Sequence, residues 1–159
     1  MHDPTAINRY RFAEARAPAL ADRAGELQPE HLLNWCRLRM DHPGITLIEG
    51  VGGLMVPLTR DFLVADWIRA LAPNEVWLVV RARLGAINHM LLSIAQLAQM
   101  QMPPRHIILN APDDEGRGYL ADLHRALKMV ACNAKVHTLL AGEMPVPQDF
   151  GLRVRGEND

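Results

Sequence analysis

The chain has 159 residues and a mass of 17.8 kDa, with 49% apolar residues, 22% charged residues and a formal net charge of −1. That length suits one domain with a real core. The near-neutral charge excludes a basic nucleic-acid footprint or a polybasic membrane patch, so neither nucleic acid nor membrane is expected as a partner. No apolar run reaches the ~18 residues of a membrane span, and residues 1–20 lack the apolar centre of a secretory signal. Cys36 and Cys132 are far apart in the sequence, which fits a reduced, cytoplasmic compartment.

Residues 1–28 carry no steady period; Pro4, Pro18 and Gly25 interrupt them, leaving an irregular segment with a short helix around 19–23. Pro29 suits a first helical position, and Leu32, Leu33, Cys36 and Met40 fall at helical spacing, so 29–41 is predicted as a helix stopped by His42-Pro43-Gly44. Ile45-Thr46-Leu47-Ile48 has no alternation and is expected as a strand buried on both faces. A helix over 61–71, a strand over 76–80, an amphipathic helix over 86–100, a strand over 107–109, a helix from Asp113 or Asp114 to 129 and a strand over 136–140 follow. A tail over 148–159 is expected to fray.

Four alternations of strand and helix predict an α/β fold, a parallel sheet covered by helices, occupying residues 29–147. Ligands of such sheets sit beyond the carboxyl ends of the strands. Glu49-Gly50-Val51-Gly52-Gly53 lies at one such end. A carboxylate there suits Mg²⁺, and the glycines let backbone amides approach phosphate; the competing reading is a tight turn with an exposed Glu. Asn110 has the donor and acceptor that a purine edge requires, or is simply a turn residue. Asn88 and His89, near a helix start, suit a carboxylate or serve as caps.

The seven histidines show no zinc-type spacing. Ser93 is the single serine, in mid-helix, which excludes a Gly-x-Ser-x-Gly hydrolase. Cys36 and Cys132 read as small core residues.

Over 47–58 the chain, reading Leu-Ile-Glu-Gly-Val-Gly-Gly-Leu-Met-Val-Pro-Leu, resembles the dethiobiotin synthetase family, and the likeness continues through Ala65-Asp66-Trp67 and the Leu-Gly-Ala-Ile-Asn-His stretch ending at His89. Weaker similarity covers 8–12, Asn110 and 139–145. The resemblance implies a P-loop NTPase-like fold and ATP- and Mg²⁺-dependent closure of the ureido ring of dethiobiotin from diaminopelargonate and CO₂, in biotin biosynthesis. It implies Glu49 as the Mg²⁺ ligand, and Gly50, Val51 and Gly52 as the loop meeting phosphates and substrate. It places Asn110, Pro145 and Val146 at the adenine. It implies that Gly85, Ala86, Ile87 and Asn88 are the segment that holds the substrate carboxylate across a homodimer interface.

The departures from that family are specific. Its Gly-x-x-x-x-Gly-Lys-Ser/Thr phosphate loop and first strand have no counterpart, since no Gly-Lys pair occurs in the sequence. Of 17 basic residues only Lys128 and Lys135 are lysine, and neither aligns with the family's two active-site lysines. The family's Ser-Pro-His segment reads Ala17-Pro18-Ala19, and Ala111 follows Asn110 where Asp is common. The chain thus resembles the C-terminal two-thirds of the enzyme, and no catalytic residue is assigned. The isolated chain is expected to turn over weakly or not at all unless upstream sequence or a separate P-loop-bearing chain completes it. The alternative is a non-catalytic dimeric binding protein derived from this family.

Overall fold

The structure is a computed structural model and describes residues 7–41 and 43–143. These residues form two compact units, divided between Pro73 and Asn74, a boundary inside the 29–147 stretch read from the sequence as one domain.

In the second unit, three strands form a parallel sheet in the order β3 (Trp77–Arg81), β4 (His106–Ala111), β5 (Lys135–Leu140). The crossovers are helices α4 (Ala86–Gln99) and α5 (Asp114–Lys128), so the unit is two consecutive βαβ turns. β4 is the centre: Ile107, Leu109 and Ala111 have no exposed surface, and they meet Val80 from β3, Met90 from α4 and Leu123, Ala126 and Leu127 from α5. Alternation in register places Trp77, Val79 and Arg81 on the same face as His106, Ile108 and Asn110, opposite that core face.

The described residues of the first unit include helices α1 (Pro18–Ala21) and α2 (Pro29–Met40), then a small antiparallel hairpin of β1 (Pro57–Thr59) and β2 (Phe62–Leu63), and α3 (Val64–Leu71). Leu27, Leu32, Cys36, Leu58, Val64, Trp67 and Leu71 form its core. Burial pushes the Cys36 thiol up, opposed by the Trp67 indole and the Arg39 charge. That suits a packing residue rather than a nucleophile.

The α/β class with a parallel sheet and flanking helices agrees with the sequence expectation, but among the described residues the sheet has three parallel strands, not four. Residues 45–48 form no strand, and Ile45 and Leu47 are exposed. A strand exists only as part of a ladder; among the described residues no strand lies alongside this run, and Thr46 instead donates its hydroxyl to the Arg39 carbonyl at 2.9 Å. The helix expected over 61–71 starts three residues later, because Phe62 and Leu63 pair with Thr59 and Pro57. The Asp66 carboxylate accepts from Leu63 N at 3.0 Å and fixes that start. The expected tail over 148–159 lies outside the described residues.

At the amino ends of the strands, His106 Nδ1 lies 2.8 Å from His137 Nε2, and His106 Nε2 lies 3.8 Å from the Glu75 carboxylate, which accepts from Trp77 Nε1 at 2.9 Å. His106 is 2% exposed. Burial holds its pKa below the usual histidine value, and the neighbouring His137, Lys135 and Arg105 add to that while Glu75 opposes it.

Two outcomes follow from this packing. Leu109→Ala empties the centre of the sheet and should lower unfolding free energy by ~2–5 kcal/mol, measured by urea denaturation. The depressed His106 pKa means that the unfolded chain binds the proton more readily. Its contribution to stability is therefore complete above the unfolded value of about 6.5, and is lost as pH falls through that value toward the folded one. Denaturation midpoints should drop from pH 7.5 to pH 5, and His106→Gln should flatten that slope.

Candidate functional site

In the first unit, residues 49–53 leave the exposed 45–48 run and close onto the start of α3. Val56 N donates to Gly53 O at 3.0 Å, and Ala65 N donates to Leu54 O at 2.8 Å. Gly52 has φ +70°, and a Cβ there would lie 2.9 Å from Val56 Cγ2, so both backbone sign and space demand glycine. The N–H groups of Gly50, Val51, Gly52 and Gly53 have no partner among the described residues. Unpaired successive amides are what a phosphate oxygen meets. Glu49 is exposed at the loop's entrance. Among the described residues no group of three His, Cys, Asp or Glu stands ready for a metal. Glu49 therefore fits Mg²⁺ in one way: as a single carboxylate contact to an ion carried in on phosphate oxygens, the usual manner of Mg²⁺ binding.

In the second unit the carboxyl ends of β3 and β4 carry the polar groups. Asn110, half-buried, is in register with Arg81, and the ladder continues one step as Ala82 N donates to Asn110 O at 2.8 Å. The side-chain amide of Asn110 has no partner among the described residues. Asp113 caps α5 by accepting from Gly116 N at 2.7 Å through Oδ1, while its Oδ2 lies 3.5 Å from an Arg81 guanidinium nitrogen. A Cβ on Gly116 would meet the Ala82 carbonyl at 3.0 Å and Ala111 Cα at 3.2 Å; glycine is what lets α5 begin hard against the strand ends.

Gly85, Ala86, Ile87 and Asn88 form the start of α4. Beside them lies a groove of about 530 Å³ between α4 and α5. Arg83, Asn88, Tyr119 and Asp122 give it polar walls, and Ile87, Leu91 and Leu123 give it apolar ones. The α4 N-terminus carries partial positive charge, so with Arg83 and Asn88 this end suits an anion on an otherwise apolar body.

The sequence-predicted residues thus divide. Glu49, Gly50, Val51 and Gly52 belong to the first unit; Gly85, Ala86, Ile87, Asn88 and Asn110 belong to the second, all at the carboxyl side of its sheet. Pro145 and Val146 lie outside the described residues. Sequence reasoning missed Arg83, Tyr119 and Asp122, although Tyr119, Asp122 and Leu123 share helical spacing with one another. It also missed the Arg81–Asp113 contact, which joins residues 32 apart.

An AAA domain family model, AAA_26, matches residues 2–151. The protein named ATP-dependent dethiobiotin synthetase BioD from Bacillus subtilis (strain 168) is 37% identical over 105 residues, covering 62% of this chain and 45% of its own length. The protein of that name from Serratia marcescens is 33% identical over 138 residues, covering 83% of this chain and 60% of its own length. One from Chlorobaculum tepidum is 48% identical over 66 residues, covering 42% of this chain and 27% of its own. The chain matches between 27% and 60% of the length of these curated relatives, less than two thirds of each. No helix among the described residues is long and apolar enough to cross a membrane. With a parallel α/β sheet, polar residues at its carboxyl ends and a family model covering nearly its whole length, the chain belongs to the AAA_26 family of AAA domains and is related to the dethiobiotin synthetases.

Proposed function

We propose that this chain provides the substrate-carboxylate and nucleotide-base portions of a dethiobiotin synthetase site. The reaction is ATP- and Mg²⁺-dependent closure of the ureido ring from diaminopelargonate and CO₂, in the cytoplasm. The observation that carries the reading is the groove beside α4. It has an anion-receptive end made of a helix N-terminus, Arg83 and Asn88, and an apolar wall of Ile87, Leu91 and Leu123. A carboxylate on a long alkyl chain that carries amines fits that mixture of groups, with the Asp122 carboxylate also in the lining and available to an amine.

In the proposed chemistry, one amine of the substrate adds to CO₂ to give a carbamate. The γ-phosphoryl group of ATP passes to a carbamate oxygen, leaving ADP. The second amine then attacks the carbonyl carbon, and the C–O bond to phosphate breaks to release inorganic phosphate. The family likeness assigns the 50–53 amides of the first unit to phosphate oxygens and Glu49 to Mg²⁺, and, in the second unit, Asn110 to the base. Pro145 and Val146 are assigned to the base by the family likeness.

Phosphoryl transfer depends on neutralising the moving charge. Neither a Gly-Lys phosphate loop nor an aligned second lysine is present in these 159 residues. Turnover is therefore proposed to require a phosphate loop from outside them, on a separate chain or upstream sequence. The same absence favours a second reading, a dimeric binding protein that performs no transfer.

The two readings separate in one experiment: turnover of diaminopelargonate with ATP and bicarbonate by the purified chain, with and without a dethiobiotin synthetase fragment carrying the phosphate loop. The first expects activity only with the fragment, and Glu49→Gln should then abolish the Mg²⁺ dependence of nucleotide binding in calorimetry. No activity in either case favours the binding protein.

A homodimer through α4 completes the proposal, since this segment holds the carboxylate of a substrate bound to the other copy. Leu84 and Leu92 are 81% and 62% exposed and Ile87 is partly so, giving the α4 region an uncovered apolar side. Light scattering should report a dimer, and Leu92→Glu should convert it to monomer while leaving the melting temperature of the subunit little changed.

A further inference from the structure

We propose that Asp122 sets the charge preference of the groove beside α4: it favours a carboxylate ligand that also carries an ammonium and disfavours one without it. The inference rests on the reading of that groove as the place of the substrate carboxylate.

Asp122 lies on α5 and lines the groove with Tyr119 and Leu123, at the three- and four-residue spacing that puts side chains on one helix face. Among the described residues it is the one acidic side chain in that lining, and Arg83, in the segment leading into α4, is the one basic side chain. The two form no ion pair with each other among the described residues, so neither cancels the other. The ion-pair partner of Asp122 is Arg125, whose Nη1 stands 3.8 Å from Oδ1, too far for a hydrogen bond. The Asp122 carboxylate accepts no hydrogen bond among the described residues. Its lone pairs are therefore open to an incoming donor, and an ammonium brings N–H groups together with the opposite charge.

The sign of the effect depends on the ligand. A carboxylate that enters toward Arg83 and the α4 N-terminus brings negative charge into a groove that already holds one. Without an amine on the ligand, Asp122 only repels it. With an amine, which is an ammonium near pH 7, attraction to Asp122 offsets that repulsion. The Asp122 side chain is 60% exposed, so water and salt screen both effects and each is modest. A change of opposite direction for two ligands that differ only in their amines is a signature of charge, which a loss of packing would not produce.

Diaminopelargonate and pelargonate are such a pair. Each is titrated into the full 159-residue chain at pH 7 and low salt, with the amide NMR shifts of residues 83–91 as the readout. Asp122→Asn should weaken diaminopelargonate about three-fold and leave pelargonate unchanged or tighter. Asp122→Glu should keep the wild-type preference, and Arg125→Ala, which removes the competing cation, should enlarge it. If Asp122→Asn changes both ligands by the same factor, or changes neither, the Asp122 proposal is overturned and the groove reading survives. If neither ligand moves those resonances in the wild-type chain, the groove reading falls and takes this proposal with it.

Discussion

The hydrogen-bonded ladder along both edges of β4 is the constraint on which the second unit depends. β4 pairs with β3 from His106 to Asn110 and with β5 from His106 to Ala111, so its peptide groups lie between two neighbours. Its core-facing side chains are fully enclosed by α4 and α5. A central strand held in this way cannot slide, because a one-residue slip would turn Ile107 and Leu109 away from the core. Asn110 inherits that rigidity. It is the last β4 position paired to β3, and it is the one partly exposed residue of an otherwise buried strand. A polar side chain at such a place is positioned by the core rather than by its own contacts, which is how a half-buried amide stays available to a ligand.

Asp113 carries the same order one step outward. One oxygen satisfies an orphan amide of the first turn of α5, and the other faces Arg81. Capping and guanidinium orientation are therefore a single event. The glycine at 116 is what makes it geometrically possible, since a side chain there would push the helix start off the Ala82 carbonyl. An exposed arginine–aspartate contact at 3.5 Å adds little stability by itself. Its effect is directional: it restricts where a long, flexible cation points.

The parts of the fold that were legible in the sequence are those set by local pattern. The apolar run at 76–80 overlaps a strand and those at 107–109 and 136–140 sit within strands, and the helices at 29–41, 86–100 and from Asp113 or Asp114 to 129 were visible in their periodicity and caps. The misreading at 45–48 has a different origin. A β-branched apolar run reports that a segment can be a strand, whereas a strand also needs a neighbour, and neighbours are a property of the whole sheet. The hairpin at 57–63 escaped for the converse reason, because Phe62 and Leu63 suit a helical face equally well until Pro57 and Thr59 pair with them. Among the candidate residues, Glu49 in the first unit and Asn88 and Asn110 in the second stood out by chemistry and position. Arg81 with Asp113, and His106 with His137, are joined by register and crossover geometry that no linear spacing encodes.

Charge placement is the physical basis for the proposed separation of binding from catalysis. The unpaired amides of 50–53 and the start of α4 offer partial positive charge, on the order of half an elementary charge for a whole helix end. That is enough to attract an anion, but a phosphoryl group in flight needs full cations close on several sides. Abundant arginine does not substitute freely, because its planar fork matches a fixed pair of oxygens, whereas a lysine is a compact charge that fits within a tight loop. The two lysines present cannot help. Lys128 ends α5 and Lys135 begins β5, in register with His106. At about 3.3 Å per residue, His106 is some 13 Å along the strand from Asn110, at the amino edge of the sheet. The positive charge that chemistry at the carboxyl edge requires must therefore come from groups other than these lysines.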